Sequence, residues 1–299
     1  MERRKFMQQT MLAGAGILGS GSLLAGNKTT ALGNQNAGQT QNGTDKINGN
    51  EKPAAEKPFN LNYGFHQGMF EAHAGKNFID QIKWAHDMGF RSIEDNGMMG
   101  RTVEEQKKIG DTLASLGMKM GVFVVTSDQW HWKTTLTTGK QEWIDKMVKD
   151  CKLAIEVAKR CNAKEVTVVP GNFDRSLSIE YQTANVIKAL RIGSEILEPA
   201  GLIMVLEALS DDMYHMQRNE GDIMKNIERC WEEIGYFQIG DNPGRKEPTT
   251  GEMNYKNIFK YIHSRGWKGV MGMEHGNSKP GKEGELALIK AYRESDSFL

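Results

Sequence analysis

Two glutamates close apolar runs in this chain, in Val205-Leu206-Glu207 and in Gly272-Met273-Glu274. An amide, Gln238, stands at the end of a third run, Tyr236–Ile239, followed by Asp241. A carboxylate at the end of a strand is too costly to bury unpaired, so each must meet a cation or an Arg or Lys. Two glutamates and an amide on one rim favour a shared divalent cation over separate salt bridges. Other polar residues end apolar runs as well: His66, Glu94-Asp95-Asn96, Asp128 with Trp130-His131-Trp132, Asn172 and His275. His66 either hydrogen-bonds a substrate or caps a strand end, and Trp130 either stacks on a sugar face or covers a loop. In Asp212-Met213-Tyr214-His215 an Asp and a His three apart can face one site together, although a surface capping Asp explains the same pattern. The segment from Gln238 to Glu252 is rich in Pro and Gly and describes a long shaped loop. Its Arg245 can grip a carboxylate, phosphate or sugar oxygen through paired donors.

These residues need elements to hold them. Strands are expected at 61–65, 91–94, 119–125, 165–169, 202–206, 236–239 and 269–273. Helices are expected at 77–88, 102–116, 140–161, 178–198, 221–234 and 254–265. Apolar residues recur at three and four spacing in the helices, as in Ile144, Met147, Val148, Cys151, Ala154, Ile155 and Ala158. Several helices end in Gly before the next strand, as at Gly89, Gly117, Gly201 and Gly266. Strict alternation over this length points to a (β/α)8 barrel, in which chemistry gathers where strands end. A doubly wound sheet is disfavoured, since no GxGxxG follows the first strand. Only seven strands can be counted, and the interval from 202 to 236 holds one βα unit rather than two.

The chain has 299 residues with 38 basic and 38 acidic side chains, which argues against a nucleic-acid binder. Its three cysteines lack CxxC spacing, so a disulfide framework or a Cys-rich zinc site is not expected; they sit on helix patterns as core residues. The first residues, Met1-Glu2-Arg3-Arg4-Lys5-Phe6, resemble a twin-arginine export signal. The Gly/Ala-rich stretch Met11–Ala25 is too short for a membrane span of about 20 residues, so no stable membrane anchor is expected. We read 1–33 as a twin-arginine signal peptide, 34–58 as a disordered polar linker and 59–299 as the barrel domain. The expected location is the periplasm. With residues 1–58 set aside, the body keeps 31 basic and 34 acidic residues and is mildly acidic.

The stretch FQIGDNPGRKEPTTGEMNYKNIF, followed by GVMGMEHG, resembles the hydroxypyruvate isomerase family of the xylose-isomerase-like TIM-barrel superfamily, which also holds ketose 3-epimerases. The resemblance spans roughly residues 60–285 and is dense in 236–276. It implies a divalent metal held by Glu207, Asp212, Gln238 and Glu274, with His215 and Arg245 touching substrate oxygens and Glu207 and Glu274 acting as the proton-transfer pair. Three carboxylates and one amide favour Mg2+ or Mn2+ over Zn2+. The implied reaction interconverts an α-hydroxy aldehyde and ketone through an enediolate. The chain departs from the family between Glu207 and Asp212, where only four residues replace a helix and a strand. The expected fold is therefore a barrel lacking most of strand 6 and its neighbouring helix. The expected partner is a small sugar or hydroxy-oxo acid, and a homo-oligomer is compatible with the sequence. Two alternatives stand beside the isomerase: a sugar 3-epimerase, and a catalytically degenerate sugar-binding barrel whose metal site is broken by the deletion. An endonuclease would need a His-rich zinc site and a basic face, and the acidic body speaks against it.

Overall fold

The computed structural model describes residues 55–126, 133–206 and 213–299. Among these described residues seven strands are present: β1 (Asn62–Phe65), β2 (Ser92–Ile93), β3 (Lys119–Met120), β4 (Glu165–Val168), β5 (Ile203–Leu206), β6 (Phe237–Gln238) and β7 (Val270–Gly272). All the described pairings between them are parallel. One ladder runs β3-β2-β1-β7-β6 and a second joins β4 to β5. The two are linked by a parallel bridge between Val124 and Thr167, with Val125 N donating to Thr167 O at 2.8 Å. The continuous order is thus β6-β7-β1-β2-β3-β4-β5. Among the described residues no strand pairing joins β5 to β6, the place where the sequence is short by one unit. Side chains meet there instead: Val205 of β5 and Tyr236 beside β6 share a buried cluster with Val122 and Val270.

The helices on the outside are α1 (Glu71–Ala74), α2 (Phe78–Asp87), α3 (Val103–Ser115), α4 (Gln141–Cys161), α5 (Ile179–Leu197), α6 (Met213–Asn219), α7 (Ile223–Cys230), α8 (Tyr255–Ser264) and α9 (Gly281–Ser295). Their starts are capped where the sequence supplies a short polar side chain. Asn77 accepts from Ile79 N, Ser178 from Tyr181 N, and Thr102 with Glu105 completes a capping box, each cap contributing about 1 kcal/mol. The αβ turns close on glycines in the left-handed region, such as Gly117 at φ 62° and Gly266 at φ 81°, which a side chain would strain. Of these helices, α1, α6 and α9 are additions to the sequence expectations. Cys151 and Cys161 are buried as expected, while Cys230 is only half-buried. No helix among the described residues is long and apolar enough to cross a membrane.

An aromatic layer lies outside β1. Tyr63, Phe65, Phe70, Phe90, Phe259 and Tyr292 are fully buried, and most of their rings meet edge-on or tilted, as for Tyr63 and Tyr292 at 4.7 Å, while Phe259 and Tyr292 stack. The Tyr63 hydroxyl donates to Asp296 Oδ1 at 2.8 Å, tying the first strand to the end of α9. Both burial and the Asp296 carboxylate push that hydroxyl well above its ordinary titration range.

Candidate active site

Parallel register carries the polar residues to one rim. Gly64 of β1 is level with Ser92 of β2 and with Gly272 of β7, and Gln238 of β6 is level with Gly272. His66, Glu94, Gln238 and Glu274 therefore emerge at the same C-terminal end of the strands. Two groups of contacts form there.

The first surrounds Glu94, whose side chain is 0% exposed. Its Oε2 accepts from the Tyr236 hydroxyl at 2.7 Å and its Oε1 accepts from Gln238 Nε2 at 3.1 Å. His66 Nε2 lies 3.3 Å from the same Oε1, an ion-pair distance. Burial pulls the His66 imidazole down, but the Glu94 and Asp95 carboxylates outweigh it and raise the ring above its ordinary pKa. Burial first, then Glu94, push the Tyr236 hydroxyl well above its usual range, so it remains a neutral donor. Next to this group, Asp95 pairs with Arg101 Nε at 2.5 Å.

The second group surrounds Glu274. Arg245 Nη2 pairs with Glu274 Oε2 at 2.7 Å, and Arg245 Nε donates to the Glu274 carbonyl at 3.1 Å. The guanidinium also lies 5.3 Å over the Tyr214 ring, and Tyr214 is the neighbour of His215 at the start of α6. Arg245 itself sits in the left-handed region at φ 47°, unusual for a residue with a side chain and the kind of local strain that a surrounding structure must enforce. Here the enforcement is visible. Arg245 N donates to Asp241 O, and Asp241 N to Lys246 O, closing a tight turn. Buried Asp241 then accepts from Gly251 N at 2.8 Å and Met253 N at 3.1 Å. Burial raises its pKa, against those amide donors. Buried Glu247 of the same loop holds Ser278 through its amide, at 2.8 Å, and its hydroxyl.

His275, beside Glu274, points away from the rim into the core. Its Nε2 meets the Tyr292 hydroxyl at 2.9 Å, and burial drives its pKa down to about 3, so it is a neutral ring.

The structure thus brings Arg245 onto Glu274 and over the Tyr214 ring, with His215 against the Tyr214 ring, and joins Gln238 to His66 through Glu94. Asp241, read at the end of the third apolar run, organises the loop instead of facing the rim. Glu207, Asp212 and Trp130 lie outside the described residues. Glu94 and Tyr236 were not assigned a role by sequence reasoning. The signal for Glu94 was available, since Ser92-Ile93-Glu94 ends an apolar strand just as Val205-Leu206-Glu207 does; nothing local marks Tyr236.

The expected ligands can be tested in part. Among the described residues no cluster of three or more His, Cys, Asp or Glu is arranged to hold a metal. Gln238 and Glu274 are two of the four oxygen donors expected. The Gln238 carboxamide turns its nitrogen to Glu94, which leaves Oε1 as the opposite, accepting end. That end and the Glu274 carboxylate stand on adjacent strands, and both are hard oxygen donors of the type Mg2+ and Mn2+ take.

A family model described as xylose isomerase-like TIM barrel matches residues 212–295. The hydroxypyruvate isomerase of Escherichia coli (strain K12) is 24% identical over 251 residues, covering 73% of this chain and 94% of that protein. A solved structure of an AP endonuclease, family 2, from Brucella melitensis superposes with a TM-score of 0.64 at 18% identity, over 78% of this chain and 99% of the other. The fold is the xylose isomerase-like TIM barrel. A 3-keto-D-glucoside 4-epimerase from E. coli matches this barrel equally well, at a TM-score of 0.64 and 15% identity, over 78% of this chain and 99% of that one. Such likeness between barrels of different activity speaks for the fold, and chemistry must be argued from the rim.

Proposed function

We propose that the protein is a divalent-metal-dependent isomerase that shifts a carbonyl along a small α-hydroxy aldehyde or ketone, in the manner of a hydroxypyruvate isomerase. The observation that carries the reading is the pairing of β6 with β7, which sets Gln238 and Glu274 on neighbouring strand ends with Arg245 clamped on Glu274. The similarity to an isomerase over most of the chain supports the same class. Glu207, Asp212, Gln238 and Glu274 would hold the cation, Mg2+ or Mn2+. When bound, the ion would supply Lewis-acid polarisation of the substrate carbonyl.

The residues then divide the work. Glu274 and Glu207 form the proton-transfer pair, one taking the carbon-bound proton and the other returning it. Return to the adjacent carbon gives isomerisation, whereas return to the opposite face of the same carbon gives epimerisation. Arg245 holds the Glu274 carboxylate through a charge-assisted contact, which fixes the orientation of that carboxylate. Arg245 is also the residue proposed to touch a substrate oxygen. His66 and His215 would serve as further donors, and Trp130 would stack on the substrate.

The test is direct. Protein loaded with Mn2+ is incubated with hydroxypyruvate in D2O and followed by proton NMR. A new aldehyde with deuterium at the reacting carbon is the expected product. Deuterium exchange on a ketose with inversion, and none on hydroxypyruvate, would move the reading to the epimerase; no exchange on either would leave a binding barrel. Export to the periplasm by the twin-arginine route belongs to the same proposal, supported by Arg3-Arg4. Periplasmic protein undiminished by a double Arg3→Lys, Arg4→Lys change would remove that part.

A further inference from the structure

We propose that Glu94 is a positioning residue of the metal-binding rim, fixing the sense of the Gln238 carboxamide and the placement of the His66 ring. The inference rests on the proposed function above, since it gives Glu94 a purpose only if Gln238 faces a cation.

Three observations point to it. Glu94 is 0% exposed yet carries three polar neighbours on two oxygens, with Tyr236, Gln238 and His66 at 2.7, 3.1 and 3.3 Å. The interior is also shaped to admit it. A Cβ on Gly272 would fall 1.6 Å from Glu94 Oε2, and a Cβ on Gly121 would fall 2.4 Å from the Tyr236 hydroxyl oxygen. Two strands therefore give up a side chain where this pair sits. Finally, an apolar plug would fill such a space at less cost than a carboxylate, whose desolvation its partners must offset. Stability alone is a weak reason to keep an acid there.

The chemistry of the pair supplies a better reason. A carboxylate only accepts, so Gln238 must present its NH2 to Glu94. The carboxamide oxygen is then the end left for a ligand, and the side chain cannot flip without setting two oxygens against each other. Among the described residues none donates to that oxygen. His66 is held on the same Oε1, so one buried acid aligns residues from β1 and β6 at once. Partners of this kind behind a metal ligand commonly tune affinity by about 10–100-fold.

The experiment uses the full chain, with Mn2+ alone as the probe. Free Mn2+ is counted by electron paramagnetic resonance to give Kd, and the unfolding midpoint of metal-stripped protein is recorded in parallel. Glu94→Gln keeps the shape but can donate as well as accept, so Gln238 loses its fixed sense; Mn2+ Kd should rise by about 10–100-fold. Tyr236→Phe removes a partner of Glu94 without touching the Gln238 bond, and Kd should stay within about twofold. A Glu94→Gln protein with lowered stability but unchanged Kd overturns the proposal and leaves Glu94 a structural acid. Wild-type protein that binds no Mn2+ overturns the proposed function and this inference together. Should Glu94→Gln fail to fold, nitrogen-15 NMR of the wild type decides. The Gln238 side-chain NH2 should exchange slowly and shift on Mg2+ addition, and a rapidly exchanging or unshifted NH2 overturns the proposal.

Discussion

The β6–β7 side of the barrel and the β5 side are built differently. On the first, the buried acids Asp241 and Glu247 of the loop after β6 are both tied to other groups. Asp241 holds the loop amides, Tyr255 bonds both the amide and the carbonyl of Gly240, and Glu247 holds Ser278. Arg245 and Glu274 are locked at the centre of that frame. On the second, β5 pairs only with β4 among the described residues, and Ile203 at its start is 56% exposed. A barrel can be short by one βα unit on one side of a gap while the rim on the other side keeps its geometry, because each rim loop is braced mainly by its own strands and by the helix that follows. In the proposed function the chemistry would be carried by the braced side, and the weak side would decide whether Glu207 and Asp212 can reach it.

Substitutions that touch one side only sharpen this contrast. Gly272→Ala on β7 drives a methyl group into the Glu94–Tyr236 pair and should cost about 3 kcal/mol or more in urea unfolding. Ile203→Ser on β5 should stay within about 0.5 kcal/mol, as exposed substitutions do. Equal losses at the two positions would erase the distinction.

Acid should act through the braced side as well. Folded His275 is driven down to about 3, whereas in the unfolded chain it titrates near its ordinary value of about 6.5. Between those values the unfolded chain binds a proton that the folded chain cannot. Stability should therefore fall as pH drops through that window, by up to about 1.4 kcal/mol per pH unit. His66 works in the opposite sense, since its folded pKa is raised. Its contribution is present below the ordinary histidine value and is lost as pH rises through the folded one. Denaturant unfolding from pH 4 to 8 should show a flatter acid limb in His275→Gln than in the parent, and an unchanged slope would show that His275 is not the group responsible.

Asp241→Asn is the smaller perturbation of the loop. One carboxylate accepts from the amides of Gly251 and Met253, and an amide side chain can satisfy only one of them with its oxygen. A loss of about 1–2 kcal/mol in thermal unfolding is expected, with a fall in kcat rather than a rise in KM as Arg245 loses its setting. A kcat equal to that of the parent would detach the loop from catalysis.

Much of this architecture can be read before any coordinates. The seven strands and six of the helices follow from apolar spacing and from glycines at the αβ turns, and the gap between β5 and β6 follows from counting units. The helix α9 carries the same spacing in Leu288, Ala291 and Tyr292, but its charged first turn and exposed Leu286 blur the pattern. The four-residue α1 is too short for periodicity to show. At the site, strand-end position selects Gln238, Glu274 and His66, and loop chemistry selects Arg245. What spacing cannot supply is pairing across the barrel. Glu94 meets Tyr236 from 142 positions away, and Arg245 meets Glu274 from 29. The parallel register, with Gly64 level with both Ser92 and Gly272 and Gln238 level with Gly272, brings the ends of β2 and β6 to one rim.

The divalent cation proposed for the braced rim must bind despite the short β5 side. Thermal unfolding of the metal-stripped full-length protein during titration with Mn2+ and Mg2+ tests it, with Glu274→Gln as the control. Saturable stabilisation of about 2–3 kcal/mol at a hundredfold excess over Kd is expected, lost in the control. A folded protein whose midpoint does not move with either ion would contradict it.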